Sequence, residues 1–217
     1  MQYKSGYGKI YAQSFGGVIM NNNDKEFLLN SYGEEYGPDA GPWNTSVKSK
    51  YLEYMIASFF EENFTVGKGN SLCNIGIGEG SWDRYLSYKL DGGQLTSIDI
   101  DEECCRQLKL RLENEKNPND VNVINSDVLL VNGLDNSFDI VTMVGSTRLE
   151  SGLFEQILAK AFSLVKPNGA FYYQTLDKDE EKKYFEDICK SNNMIIDSYL
   201  LNTEYGFKAQ YFKAVKN

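Results

Sequence analysis

The sequence predicts an α/β fold: a doubly wound seven-stranded sheet, mostly parallel with an antiparallel C-terminal hairpin strand, plus an N-terminal helical and loop lid. Three observations carry this. From residue 47 onward, apolar runs of strand length alternate with segments of helical period, the pattern of a parallel sheet wound by helices. The run Leu72 to Ile77 ends in glycines at 76, 78 and 80, directly before a helix-period segment. That is a strand passing through a tight turn into a helix N-terminus, where backbone can approach a ligand because no Cβ intervenes. Two final strand-like runs, Met194 to Thr203 and Lys208 to Val215, are joined by a turn at Tyr205-Gly206, a hairpin that puts one antiparallel strand in the sheet.

Each element has its own signal. Residues 1–43 differ from the rest: Tyr3, Tyr7, Tyr11 and Phe15 recur every four residues, and Gly33, Gly37, Pro38, Gly41 and Pro42 break regular structure before Trp43. A short helix from about Gly8 to Phe15 and an ordered cover over the domain are expected, because the aromatic content is too high for a disordered tail. Val47, Tyr51, Leu52, Met55, Ile56, Phe59 and Phe60 repeat at helical spacing until Gly67 and Gly69. After the glycine turn comes a helix over roughly 79–90 with Trp82, Tyr85 and Leu86 on one side, stopped at Asp91-Gly92-Gly93. Gln94 to Ile100 is a second strand. Cys104, Cys105, Leu108 and Leu112 mark a helix that Asn117-Pro118 closes, and Val121 to Asn125 is a third strand. Phe138 to Val144 is almost continuously apolar, as suits a central strand buried on both faces. Leu153 to Val165 reads as a helix, Lys166-Pro167-Asn168-Gly169 as a turn, Ala170 to Thr175 as a fifth strand, and about 178–191 as a charged helix. One domain is expected over 1–217, with 1–43 as the cover and 44–217 as the core.

Composition narrows the function. The 217 residues suffice to bury a core without staples. Lys plus Arg number 22 and Asp plus Glu 31, a net charge of −9, which argues against a nucleic-acid partner. Cys73, Cys104, Cys105 and Cys189 have no metal-binding spacing and read as free thiols in a reducing compartment. No metal is expected. With no apolar run of membrane-spanning length and no signal peptide, no membrane partner and a cytoplasmic location are expected. The chain contains no histidine, which removes the commonest general base.

The chemistry-bearing signals sit at the carboxyl ends of successive strands: the glycines after the first, Asp99 after the second, Asp127 after the third. In an open α/β sheet those ends form the ligand crevice. Asp99 stands where a carboxylate can accept from both hydroxyls of a ribose, and to this point a nicotinamide cofactor remains open. Asp139 reads as a turn residue entering strand four, and Asp101 or Glu102 as a helix cap.

Taken together, these segments resemble the class I, Rossmann-like S-adenosylmethionine-dependent methyltransferases, from about residue 47 to the C-terminus. Asn74-Ile75-Gly76-Ile77-Gly78-Glu79-Gly80 is similar to that family's first motif and Ile98-Asp99-Ile100-Asp101 to its second. Ser126-Asp127-Val128 is similar to its adenine-contacting turn, Phe138 to Val144 to its fourth-strand motif, and Leu164 to Ala170 to the entry of strand five. The resemblance implies S-adenosylmethionine as cofactor. It implies that Gly76 and Gly78 admit the methionine and ribose part and that Asp99 binds the ribose hydroxyls. Ile100 would pack on the adenine, Asp127 accept from its amine with Val128 beside it, and Gly145 and Ser146 border the methyl-transfer centre. Asn74 departs from the pattern, since the family usually has an acid there, and Asn74→Asp is accordingly expected to tighten cofactor binding. Related small-molecule enzymes use an N-terminal lid, which makes Tyr11 the candidate catalytic ring against the sulfonium. Without histidine, an amine or carboxylate acceptor, which needs little or no base, is favoured. The expected partner is a small-molecule acceptor, with a homodimer left open. The competing readings are a protein or peptide methyltransferase and a non-catalytic cofactor-binding protein of the same fold.

Overall fold

The computed structural model describes residues 47–145, 152–176, 181–206 and 208–217. The expected helix at Gly8 to Phe15, the cover over 1–43 and Tyr11 lie outside them, as does Ser146. The chain divides into two compact units, Met1–Lys50 and Tyr51–Asn217, and the second holds the whole sheet.

Helix α1 (Val47–Asn63) leads into β1 (Ser71–Ile75), α2 (Ser81–Lys89), β2 (Gln94–Asp99), α3 (Glu102–Glu115) and β3 (Asp120–Asn125). A 3₁₀ turn (Val128–Leu130) then precedes β4 (Phe138–Val144), α4 (Phe154–Leu164), β5 (Val165–Thr175), α5 (Glu181–Ser191), β6 (Met194–Asn202) and β7 (Ala209–Lys216). The seven strands lie in the order β3-β2-β1-β4-β5-β7-β6. β1 to β5 pair in parallel, whereas β7 runs antiparallel to both β5 and β6. The doubly wound sheet with its reversed hairpin strand is therefore the fold observed.

The period of two along each strand sorts the core. Tyr172 and Tyr173 are neighbours on β5 and both fully buried, yet they face opposite ways. Tyr172 joins Phe59 and Phe60 of α1, Leu86 and Leu90 beside α2, and Leu72 and Tyr211 of the sheet. Tyr173 joins Phe154 and Leu158 of α4, Phe185 of α5, and Val141, Met143 and Phe212. Each such aromatic or aliphatic side chain gains roughly 1.5–3 kcal/mol from leaving water, which is why helices must cover both faces. α3 closes the β2–β3 edge through Cys105 and Leu108 against Ile77.

The start of β5 differs from the sequence reading. β5 begins at Val165 rather than Ala170, because Val165 already pairs with Phe138. The expected turn persists as an irregularity within the strand, with Asn168 at φ 62° and a register shift between Phe138 and Ile140. Asp139 accepts from the Ser71 backbone N–H at 2.7 Å and from Lys166 Nζ at 2.9 Å, so it ties the lower ends of β1, β4 and β5 together.

Candidate active site

The site is assembled at the carboxyl end of β1. Gly76, at φ 86°, still pairs its N–H with Ile98 O at 2.9 Å and so extends the β1–β2 ladder by one bond. The chain then reverses through Gly78 (φ 53°) into Gly80 (φ 78°), the residue that caps α2. That left-handed conformation disfavours any side chain, and a Cβ on Gly80 would also stand 3.2 Å from Leu108 Cδ1.

Asp99 fastens this turn to β2. Its Oδ2 accepts from the Ile77 N–H at 2.6 Å and the Gly78 N–H at 3.3 Å, and its Oδ1 from the Asp101 N–H at 2.8 Å. A carboxylate offers about four lone-pair sites, so it can still accept from a ligand hydroxyl. Asp101 itself caps α3, accepting from Glu103 and Cys104. Asp127 does the same for the 3₁₀ turn, with Oδ1 accepting from the Leu129 N–H at 2.9 Å.

A cavity of about 350 Å³ opens between these ends, lined by Gly76, Asp99, Ile100, Asp127 and Val128, with Met143 and Phe154 at its back. Ile100 is 73% exposed, an apolar side chain left bare where a flat ring could cover it. The size lies in the range of small-ligand pockets. Bare backbone at Gly76, a carboxylate with spare acceptor capacity and an apolar wall fit the ribose and adenine of an adenosyl group.

The other sequence-predicted residues stand elsewhere. Gly78 touches Asp99 without lining the cavity. Gly145 closes β4 in a left-handed conformation (φ 78°), and a Cβ there would meet nothing within 4 Å among the described residues; its N–H donates to Gln174 O at 3.1 Å and Oε1 at 3.0 Å. Asn74 does not reach the cavity. Its side chain is fully buried and turned to Asp83, with Nδ2 donating to both carboxylate oxygens at 2.9 and 3.0 Å. The expectation that Asn74→Asp tightens cofactor binding is therefore reversed, because the new carboxylate would face Asp83 in a dry interior.

Sequence reasoning missed Asp83. It is fully buried in the first turn of α2. Burial pushes its carboxyl up to about 6, although the Ser97 hydroxyl and the Asn74 amide favour the anion. Burial likewise raises the Cys73 thiol far above its ordinary range, so it stays neutral. All four cysteines are free. Gln174 and Tyr211 were missed as well. They are cross-strand partners on β5 and β7, both 0% exposed. Gln174 Nε2 and the Tyr211 hydroxyl have no hydrogen-bond partner among the described residues.

Residues 73–169 match the profile of a family described as a methyltransferase domain. Those residues carry a methyltransferase domain, set on the doubly wound fold described above. S-adenosylmethionine is its methyl donor, and the cavity beside Asp99 is where this methyltransferase domain has room for it. No curated protein matches the chain. Among solved structures, one from Galdieria sulphuraria, provisionally assigned as a sarcosine dimethylglycine methyltransferase, superposes with TM-score 0.67 at 12% identity over 91% of this chain and 99% of that one. The cyclase SpnF superposes with TM-score 0.66 at 13% identity, over 87% and 91%. A SAM-dependent methyltransferase from Methanosarcina mazei gives TM-score 0.58 at 17% identity, over 73% and 96%. At such identities the likeness is one of fold. Among the described residues no group of His, Cys, Asp and Glu could hold a metal ion, and no helix is long and apolar enough to cross a membrane.

Proposed function

We propose that this methyltransferase acts on a nitrogen or oxygen of a small-molecule acceptor, an amine or a carboxylate. The observation that carries the reading is a buried pair of polar side chains, Gln174 held against Gly145 and Tyr211 as its cross-strand partner. Gln174 Oε1 is held by the Gly145 N–H, and among the described residues its amide NH₂ has no partner at the end of β5, opposite Tyr211 of β7, whose hydroxyl has none either. Buried polar groups are nearly always hydrogen-bonded, and each one left unmade costs about 1–3 kcal/mol. Groups this deep, beside the open space at Gly145, suit an acceptor small enough to enter.

The bound cofactor supplies a methyl carbon on a sulfonium, and transfer breaks that C–S bond as a C–N or C–O bond forms. The chain's own part is to bind, align and exclude water. Gly76 and Asp99 hold the adenosyl end; Gly145, Gln174 and Tyr211 orient the acceptor. Burial raises the Tyr211 hydroxyl well above its ordinary range, so at neutral pH it donates rather than acting as base. The chain has no histidine, which favours acceptors that need no general base, a carboxylate that is ionised at neutral pH or an amine that gives its proton to water before attack. Within the same proposal, residues 1–43 form the cover of a single domain, Tyr11 lies against the sulfonium, the location is cytoplasmic, and nucleic acid is disfavoured by the charge of −9; a homodimer is compatible with it.

The test is release of S-adenosylhomocysteine from S-adenosylmethionine with a panel of small amines and carboxylic acids. Turnover with members of the panel supports the reading. Turnover only on arrayed peptides points to a protein methyltransferase. Cofactor binding without turnover on either would sustain the non-catalytic alternative.

A further inference from the structure

A chain of hydrogen bonds runs beneath the glycine turn and ends on Asp83. Trp82 Nε1 donates to Thr142 Oγ1 at 3.1 Å, and the Thr142 hydroxyl donates to Asn74 Oδ1 at 2.7 Å. The two hydrogens of Asn74 Nδ2 are then divided between the Asp83 carboxylate and Gly76 O, the latter at 3.0 Å. Direction is fixed at both ends. A carboxylate can only accept, so it must face the amide NH₂, and that same NH₂ is the donor that holds the Gly76 carbonyl.

We propose that Asp83 is a positioning residue for the cofactor: as a carboxylate it orients the Asn74 amide, and through it the Gly76 peptide that forms the pocket floor. This rests on the reading of that pocket as the adenosyl site. A proton on Asp83 changes the pattern. The acid O–H must donate, and beside the Ser97 hydroxyl the acceptor that the Asn74 amide can offer it is Oδ1, which now faces Thr142. Turning the amide to supply it swings Nδ2 away from Gly76 O, whose carbonyl is then free to rotate out of place.

The groups around Asp83 make this protonation accessible. Cys73 of β1 is buried and neutral; Asn74 and Thr142 are uncharged; Ser97 of β2 contributes a hydroxyl; Asp99 at the end of β2 adds a like charge. No cation is among the groups acting on it. Arg84, its chain neighbour, pairs instead with Glu115 of α3. Desolvation with no compensating positive charge raises the carboxyl towards neutrality.

The experiment is calorimetric titration of S-adenosylhomocysteine into the full-length wild type, Asp83→Asn and the exchanged double variant Asn74→Asp/Asp83→Asn, at pH 7.5 and 5.5, with folding checked by circular dichroism. The wild type is expected to lose about threefold in affinity on going to pH 5.5, because about a quarter of the carboxyl is still ionised there. Asp83→Asn is expected to bind about tenfold more weakly at pH 7.5 and to show no pH step. The exchanged variant restores the buried charge but gives Gly76 O no donor, so it is expected to stay weak. A wild-type affinity flat with pH, or an exchanged variant that binds like wild type, overturns the proposal. A wild type that binds at neither pH contradicts the adenosyl reading of the pocket itself, and this one with it.

Discussion

The two halves of the sheet's upper edge are finished differently. At β1 and β2 most polar groups are tied to the chain: Asp99 accepts three backbone N–H groups, Asp101 caps α3, and Asn74 has both its ends engaged, the exception among the described residues being the buried Ser97 hydroxyl. At β5 and β7 polar atoms are buried without partners among the described residues, on Gln174, Thr175 and Tyr211. Saturated hydrogen bonding fixes one geometry, as a ligand shared by a whole enzyme class requires. Unmet donors cost stability and persist where a ligand completes them. On the function proposed above, the first half is a rigid cradle for the cofactor and the second is kept for the acceptor.

The largest effect should come from breaking the rigid half. Asp99→Ala strands the N–H groups of Ile77, Gly78 and Asp101 and removes the ribose acceptor. Cofactor affinity is expected to fall by roughly 1–3 kcal/mol, with further loss from turn disorder. Calorimetry with S-adenosylhomocysteine reads it, and wild-type affinity would refute the placement of the ribose. Gln174→Leu and Tyr211→Phe should sharpen the contrast by leaving that affinity unchanged while raising the acceptor KM by about five- to fiftyfold. Weakened cofactor binding in either variant would erase the distinction between the halves.

A smaller effect separates function from stability at Asp83. An unfolded aspartate titrates near 4, and in the fold burial raises it to about 6. The protonated acid therefore favours folding below pH 4, and that contribution is lost as the pH rises through 6. Asp83→Asn should raise Tm by roughly 2–6 °C at pH 7.5 and leave it unchanged at pH 4, even as cofactor binding weakens. A lower Tm at both pH values would make Asp83 an ordinary structural support.

The difference between the halves also explains what the sequence could disclose. The glycine turn was legible because left-handed backbone at 76, 78 and 80 demands glycine, and β4 because an unbroken apolar run needs cover on both faces. Asp83 was hidden in plain view. It shares the buried stripe of α2 with Leu86 and Ser87, at the spacing of a core position, yet an acid in a first helical turn reads as a partner of the helix dipole. Asn74, an amide within an apolar strand, was the other half of that signal. Gln174 and Tyr211 are thirty-seven positions apart, and only the antiparallel register of β5 with β7 makes them neighbours. Such long-range pairing has no local trace in the chain.

The most direct measurement of the central claim is a crystal structure of the full-length protein with S-adenosylhomocysteine. The ligand is predicted to place its ribose hydroxyls on Asp99 and its adenine between Ile100 and Val128, with its sulfur towards Gly145. An adenosyl ligand bound elsewhere, or a nicotinamide cofactor in that cavity instead, would contradict it.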